Sequence, residues 1–464
     1  MFNKILIANR GEIALRAIRE CREMGIGSVA IYSDADAEAL FVKHADESYP
    51  LGDPEPNASY LNMDKIFDIA SKSKAEAIYP GYGFLAENPQ FVEACEARGI
   101  EFIGPPSKSM NAAKPKHKSR DLMKSQGVPV SPGSDGAIET DSDMAKAFDI
   151  ADSIGYPVIV KPSGAGGGIG MKVANSREEL EGAMGYAKSL GSETFGLAAF
   201  YLEKYVTNAK HIEFQIMADK KGNTVYVSDR ECSVQRRYQK LIEEAPSPVM
   251  TPELRKKMGD TAVQIARALN YVNALTVEFI YNMDEKEYYF NECNTRLQVE
   301  HPLTELLTGI NLVKEQIRIA AGEELGYTQD DIDLRGWSIE CRINAEDPFM
   351  NFMPAPAKVE AWDPPGGFGV RLDAGVYAGY TMPFYYDPLA AKLLSWGKTR
   401  EEAIATMKRA LREFHIEGIK TNIPFHLVAL DNEVFKNGSY TTHFVDEQKL
   451  LKQLREMKKA GEIA

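Results

Sequence analysis

One segment, residues 275 to 302, constrains the fold more than any other. Leu275-Thr276-Val277-Glu278-Phe279-Ile280 and Glu287-Tyr288-Tyr289-Phe290-Asn291-Glu292 are β-type runs either side of a polar turn, Asn282 to Lys286, and predict a β-hairpin pairing about residue 285. In that register Glu278 lies opposite Glu292. Two carboxylates that close repel unless a cation sits between them, so the hairpin predicts Mg²⁺ or Mn²⁺ held by hard oxygens and bridged to phosphate. A plain charged hairpin is the alternative, and a register shifted by one residue separates the pair. The chain continues Asn291-Glu292-Cys293-Asn294-Thr295-Arg296-Leu297-Gln298-Val299-Glu300-His301-Pro302. Read as extended, it puts Glu292, Asn294, Arg296, Gln298 and Glu300 on one face and Cys293, Leu297 and Val299 on the other. Such a row offers a cation site at one end, Arg296 for an anion and Glu300 as a base. A solvated edge strand does not need Asn and Gln between its charges, which favours a reaction site.

The first hundred residues alternate strands and helices: Lys4 to Ala8, Glu12 to Met24 stopped by Gly25, Ser28 to Tyr32, Ala75 to Tyr79, a helix from Asn88 to Arg98, and Ile100 to Ile103. This predicts a parallel α/β unit. Gly104-Pro105-Pro106 and the basic Lys114-Pro115-Lys116-His117-Lys118 mark a change of domain. A third part opens at Trp337-Ser338-Ile339-Glu340-Cys341-Arg342-Ile343 and includes a helix near Arg400 to Arg412. After Phe444 a charged helix with Leu450, Leu451, Leu454 and Met457 on one stripe reads as a packing helix, with a partner helix as the alternative. The boundaries expected are 1–114, 115–332, 333–445 and a tail, 446–464. The fold class is α/β and α+β.

Two further segments carry chemistry. Val158-Ile159-Val160-Lys161-Pro162-Ser163 leads into Gly164-Ala165-Gly166-Gly167-Gly168-Ile169-Gly170 and then Met171-Lys172-Val173, a glycine hairpin whose bare N–H groups could close over phosphate. Lys161 just before the glycines favours that over a merely flexible turn. It is not a P-loop: no Gly-Lys-Ser/Thr opens a helix, and the next helix starts near Ser176 with Glu179 in capping-box position. Asp229 to Lys240 concentrates Arg230, Arg236, Arg237 and Lys240, suiting an anionic intermediate or, equally, a solvated basic strand.

Composition excludes several classes. A net charge of −13 over 464 residues argues against general affinity for nucleic acid or anionic lipid, so any phosphate must meet local cations. Cys21, Cys95, Cys232, Cys293 and Cys341 form no C-x-x-C pair, so neither a disulfide framework nor a thiolate zinc site is indicated. With no secretory, transit or membrane-spanning segment apparent, a cytoplasmic location is expected.

Taken together, these segments resemble biotin carboxylase, the ATP-grasp subunit of biotin-dependent carboxylases. The resemblance runs from Ile7-Ala8-Asn9-Arg10-Gly11-Glu12-Ile13-Ala14 through Tyr79-Pro80-Gly81-Tyr82-Gly83-Phe84-Leu85-Ala86-Glu87-Asn88, the glycine loop, Gln235-Arg236-Arg237 and Glu292 to Pro302, to Glu340-Cys341-Arg342-Ile343-Asn344-Ala345-Glu346-Asp347-Pro348. It implies an ATP-grasp fold between a Rossmann-like N-terminal domain and a biotin carboxylase C-terminal domain. It implies ATP bound by Lys116, Lys161, Gly166, Gly167, Gly168, Glu203, Lys204, Val206, His211 and Gln235, with Glu278, Glu292 and Asn294 on Mg²⁺ or Mn²⁺. Lys240, Arg296, Gln298, Val299 and Glu300 are expected to hold bicarbonate. Glu300 is then the base, Arg342 holds the biotin enolate, and Asp387 lies near the ureido group. Ile169 stands where the family usually has Arg, Tyr238 where His is frequent, and Ala113-Lys114-Pro115-Lys116 replaces the usual approach to the first ATP lysine.

No biotin-accepting Ala-Met-Lys-Met occurs, so biotin is expected on a separate carrier protein, with a carboxyltransferase as a further partner. A homodimer through Arg16, Arg19 and Glu23 with Phe368 follows from the resemblance. Three other readings stand beside it. Asp34 follows the first β-α-β at the interval of a ribose carboxylate, as in a dinucleotide-binding dehydrogenase, but Asn9-Arg10-Gly11-Glu12 has one glycine where a pyrophosphate turn has three. An ATP-grasp carboxylate-amine ligase would share the glycine loop and hairpin, yet would not need Arg296, Gln298, Glu300 and Arg342 together. A nucleotide-sensing scaffold would not need the reacting groups.

Overall fold

The computed structural model describes residues 1–114, 116–139, 141–163, 170–195 and 199–462. Strands β1 (Lys4–Ile7), β2 (Gly27–Ser33), β3 (Glu47–Gly52), β4 (Ala77–Tyr79) and β5 (Glu101–Phe102) form a parallel sheet in the order β3-β2-β1-β4-β5. Ile5, Leu6 and Ile7 are fully buried, as a strand covered by helices on both faces requires. The helix Gly11–Glu23 stops where Gly25 turns to φ 71°, a conformation open to glycine at no steric cost. Asn88 caps the helix Pro89–Arg98 by accepting the N–H of Phe91 at 3.0 Å. β3 and the helix Met63–Ser73 add to the elements expected.

A small antiparallel sheet, β7-β6-β8, follows, built from β6 (Val158–Pro162), β7 (Lys172–Ala174) and β8 (Phe200–Lys204). β6 and β7 pair from Val158↔Ala174 to Val160↔Lys172, so the arms of the glycine hairpin are in place. The tip, with Gly166, Gly167, Gly168 and Ile169, lies outside the described residues, as does Pro115. Leu180, Ala183, Met184 and Ala187 of the helix Arg177–Phe195 cover this sheet. At that helix's start Glu179 accepts from the N–H of Asn175, at 2.9 Å.

The largest remaining unit is one eight-stranded antiparallel sheet, beside two small two-stranded pairs, Glu346–Asp347 with Met353–Pro354 and Ala361–Asp363 with His415–Glu417. Its strands are β9 (Ala209–Ala218), β10 (Thr224–Arg236), β11 (Gln239–Ala245), β12 (Asn273–Asn282), β13 (Glu287–Asn294), β14 (Trp337–Asn344), β15 (Val370–Ala374) and β16 (Leu389–Gly397), in the order β13-β12-β9-β10-β11-β14-β16-β15. The sheet runs past residue 333 without a break, because β11 pairs with β14 from Ile242↔Cys341 to Ala245↔Ser338. The third part expected from Trp337 onward thus opens on a strand of this sheet. The helix Leu450–Lys459 packs Leu450 and Leu454 into the core with Phe425, Val428 and Phe444. All five cysteines are buried and unpaired. Among the described residues no helix is long and apolar enough to cross a membrane.

Candidate active site

The β12–β13 hairpin sets the geometry. From its turn outward the pairs run Asn282↔Glu287 to Phe279↔Phe290, a register that would bring Asn291 opposite Glu278. A β-bulge takes up Asn291 as the extra residue, and the next pairs are Glu278↔Glu292, Val277↔Cys293 and Thr276↔Asn294. The bulge therefore sets the two acids opposite one another, and Asn291 Oδ1 comes to 3.5 Å from Lys161 Nζ.

The expected extended row does not continue. β13 ends at Asn294, residues 295 to 300 turn, and Glu300 is the N-cap of the helix His301–Thr308, with Pro302 in its first turn. Alternation holds only for Glu292 and Asn294; the turn gathers the rest. Arg296 Nη1 donates to Gln298 Oε1 at 2.8 Å, Arg296 Nε to Glu87 Oε2 at 3.0 Å, and Gln298 Nε2 to Glu278 Oε1 at 3.3 Å. Val299, expected on the far face, presents its carbonyl to Lys392 Nζ at 3.0 Å, and His301 Nδ1 lies 2.8 Å from the Gln298 carbonyl.

Lys240 is the hub. Its ammonium lies 2.6 Å from Glu300, 2.7 Å from Glu213 and 3.4 Å from Glu278. Arg342 reaches Glu300 at 3.0 Å and Glu243 at 2.6 Å. Burial alone would raise the Glu300 carboxyl, but Lys240, Arg342 and Arg230 together hold it well below the usual carboxylate range. Glu278 is likewise raised by burial and lowered further by Lys240 and His211, whose Nε2 is 2.9 Å from it. Burial opposes the charge on Lys240, yet Cys232, Glu213, Glu300 and Glu278 push its pKa well up. Both carboxylates are thus ionised near neutrality and the lysine charged.

Lys116, at the start of the helix Lys116–Ser125, ion-pairs with Glu292. Lys161 Nζ lies 2.6 Å from Glu203, and Lys204 Nζ donates to the carbonyls of Gly155 and Tyr156 at 2.9 and 3.0 Å. Val206 is half-buried in the segment between β8 and β9. Gln235 pairs with Lys240 across the β10–β11 hairpin. Asn294 Nδ2 donates to Glu278 Oε1 at 2.8 Å. Asp387 is exposed, its Oδ1 accepting the N–H of Leu389 at 3.0 Å, and the carboxylate that feels its charge is Glu346. Two carboxylates and an amide oxygen on one hairpin are the donor set of a hard divalent cation, so Glu278, Glu292 and Asn294 fit Mg²⁺ or Mn²⁺.

The structure places the remaining candidates as follows. The basic segment divides: Arg230 is fully buried against Glu213 at 2.5 Å, Arg236 donates to Asn351, Arg237 is exposed in the turn, and only Lys240 joins the carboxylate cluster beside Arg230. Asp34 is exposed, whereas Asp36, just past the end of β2, is fully buried. Arg10 donates to it through Nε at 2.7 Å and Nη2 at 2.8 Å, Tyr60 at 2.6 Å and Tyr380 at 3.1 Å. Arg16 is 7% exposed and bound within the chain to Glu20, to Glu305 at 3.1 Å and to Asn311 at 3.0 Å, while Arg19, Glu23 and Phe368 are exposed. Glu213 is an addition to the expected site, although His211, Glu213 and Gln215 alternate with Ile212, Phe214 and Ile216 and signal a polar face on β9. Glu243 and Lys392 carry no such local signal.

Comparison with known proteins decides the family. The N-terminal domain of biotin carboxylase matches residues 1–110, the ATP-binding domain of carbamoyl-phosphate synthase L chain 115–328, and the biotin carboxylase C-terminal domain 340–447. The chain belongs to the biotin carboxylase family. It is 56% identical to a pyruvate carboxylase subunit of Methanothermobacter thermautotrophicus, over 96% of this chain and 90% of that one. Biotin carboxylase 1 of Bacillus subtilis is 50% identical, over 96% and 98%. The biotin carboxylase domain dimer of Hydrogenobacter thermophilus 2-oxoglutarate carboxylase, solved with MgADP, ADP and bicarbonate, superposes with a TM-score of 0.93 at 46% identity, covering 97% of this chain and 98% of that one. A Campylobacter jejuni biotin carboxylase complexed with β-γ-ATP gives 0.93 at 44% identity, over 96% and 99%. The fold is accordingly ATP-grasp between N-terminal and C-terminal biotin carboxylase domains, and the chain is an ATP-dependent ligase.

Proposed function

We propose that this chain carboxylates biotin presented by a separate carrier protein, using MgATP and bicarbonate, as one component of an acyl-CoA or pyruvate carboxylase. The observation that carries the reading is the Lys240–Glu300–Arg342 cluster: a buried, ionised carboxylate flanked by two cations at the foot of the metal-type hairpin. Glu300 takes the proton of bicarbonate, and the freed oxygen attacks the γ-phosphorus of ATP, forming carboxyphosphate and releasing ADP. Lys240 and Arg296 bear the charge of that anion, Gln298 and the Val299 backbone orient it, and Lys116, Lys161, Glu203, Lys204, Val206, His211 and Gln235 surround the nucleotide. Bound Mg²⁺ or Mn²⁺ on Glu278, Glu292 and Asn294 would neutralise phosphate charge. Carboxyphosphate yields CO₂ and phosphate; the phosphate accepts the N1′ proton of biotin, and Arg342 holds the ureido oxygen while nitrogen attacks CO₂. Asp387 contributes at the rim, and Gly166, Gly167 and Gly168 cover the phosphates.

The same reading divides the chain into an N-terminal domain over 1–114, an ATP-grasp domain over 115–332, a C-terminal domain over 333–445 and a tail over 446–464, in line with the family matches at 1–110, 115–328 and 340–447. It takes a carboxyltransferase as second partner, a homodimer as the working unit and the cytoplasm as compartment, the last consistent with five unpaired buried thiols. The test is ADP release with bicarbonate, with and without free biotin. Biotin stimulation that disappears in Arg342→Ala, with nucleotide binding retained, is expected. Turnover indifferent to biotin would favour a carboxylate-amine ligase.

A further inference from the structure

The seam between β11 and β14 contains two carboxyl groups that the scheme above does not use. Glu243 and Glu340 are register partners on these strands, 1% and 0% exposed. One oxygen of Glu243 receives Arg342 Nε at 2.6 Å. Its other oxygen and both oxygens of Glu340 are buried without a hydrogen-bonding partner. An ionised carboxylate with no donor on either oxygen costs far more to bury than its acid form. Glu340 is therefore a carboxylic acid, and its O–H needs an acceptor. Cβ atoms of cross-strand partners lie about 4.5–5.5 Å apart, so the bare Glu243 oxygen is within reach, directly or through one water.

The neighbouring charges agree. Facing the pair are Arg342 on β14, Lys392 on β16 opposite Arg342, Lys240 on β11 and Glu300 at the helix start, with Glu12 from the first domain paired to Lys392. Lys392 is engaged by Glu12 at 3.1 Å and the Val299 carbonyl, and Arg342 by Glu243 and Glu300; neither cation donates to Glu340. Burial pushes Glu340 far above the usual range, against the pull of Lys392 and helped by Glu243. Burial also brings Glu243 to about 7 despite Arg342.

We propose that Glu340 is a positioning residue for biotin carboxylation: as a neutral acid it shares its proton with Glu243 across the seam, keeps Glu243 on Arg342, and so sets the pH below which Arg342 loses its anchor and biotin turnover falls. This rests on the function proposed above. The O–H of Glu340 favours the anionic form of Glu243, so removing it makes Glu243 protonate at higher pH.

The experiment is the pH profile of kcat/KM for free biotin in native protein, Glu340→Leu and Glu340→Gln, each normalised to its own biotin-independent ATP cleavage. The acid limb of Glu340→Leu should move up by about one pH unit. In Glu340→Gln, whose amide keeps a donor, it should stay at the native position. A leucine limb that does not move, or moves down as expected on deleting a charged neighbour, overturns the proposal. Infrared spectra supply a readout that needs no turnover: at about pH 9, above the range in which Glu243 takes up a proton, the band of a protonated, buried carboxyl should be present in native protein and absent in Glu340→Gln. Its persistence overturns the assignment. Native protein indifferent to biotin would instead sink the function itself, and the infrared result would still decide the state of Glu340.

Discussion

Asp36 and Glu300 are both buried carboxylates surrounded by donors, and they differ in how those donors are committed. Asp36 is held by Arg10 through two N–H groups and by the hydroxyls of Tyr60 and Tyr380. Arg10 has no second carboxylate among its ion pairs with the described residues. Around Glu300 each cation is divided: Lys240 among Glu213, Glu278 and Glu300, Arg342 between Glu243 and Glu300. A saturated carboxylate gives an incoming anion nothing to bind. A shared cation can turn toward a new anion while Glu300 keeps its other donor, the condition for holding bicarbonate beside its base.

The largest expected effect tests the shared side. Glu300→Gln preserves shape but cannot accept the bicarbonate proton, so bicarbonate-dependent ATP cleavage should fall about 100-fold or more. Nucleotide binding should survive, because Glu300 bonds to Lys240 and Arg342 and not to the lysines nearer the nucleotide. Turnover within a few-fold of native would mean that sharing of cations does not mark the base. A smaller effect belongs to Glu292, whose partner is Lys116. Glu292→Gln removes one of two anionic metal ligands and should raise the Mg²⁺ needed for half-maximal turnover about tenfold. An unchanged requirement would move the metal off this hairpin.

Much of this is readable along the chain, and what is hidden has a common cause. The parallel unit, the hairpin and the tail helix follow from periods of 2 and 3.6 residues, which are local properties. The pairing of Glu278 with Glu292 is legible too, although the near-turn register alone would miss it; the bulge at Asn291 leaves no mark in hydrophobic alternation. The row from Arg296 to Glu300 reads as strand because polar residues alternate there, while Pro302 and the helix behind it impose a turn. The β11–β14 pairing joins segments about a hundred residues apart, and no local pattern states which edges meet. Glu243, Glu340 and Lys392 become conspicuous only once that seam closes.

The smallest effect tests the saturated side. Tyr380 comes from the third part of the chain, is 4% exposed, and reaches Asp36 at 3.1 Å, so it ties the C-terminal region to the parallel sheet. Tyr380→Phe keeps the ring and deletes one hydrogen bond to a charged group that has three other donors. The loss should be about 2 kcal/mol, seen as a fall of roughly two degrees in Tm, with kcat and the KM for ATP, bicarbonate and biotin unchanged. Arg10 still neutralises Asp36, so no charge is left bare. If the variant instead keeps its Tm and raises a substrate KM, the Asp36 cluster takes part in binding, and full commitment of a carboxylate's partners is no sign that a site is closed.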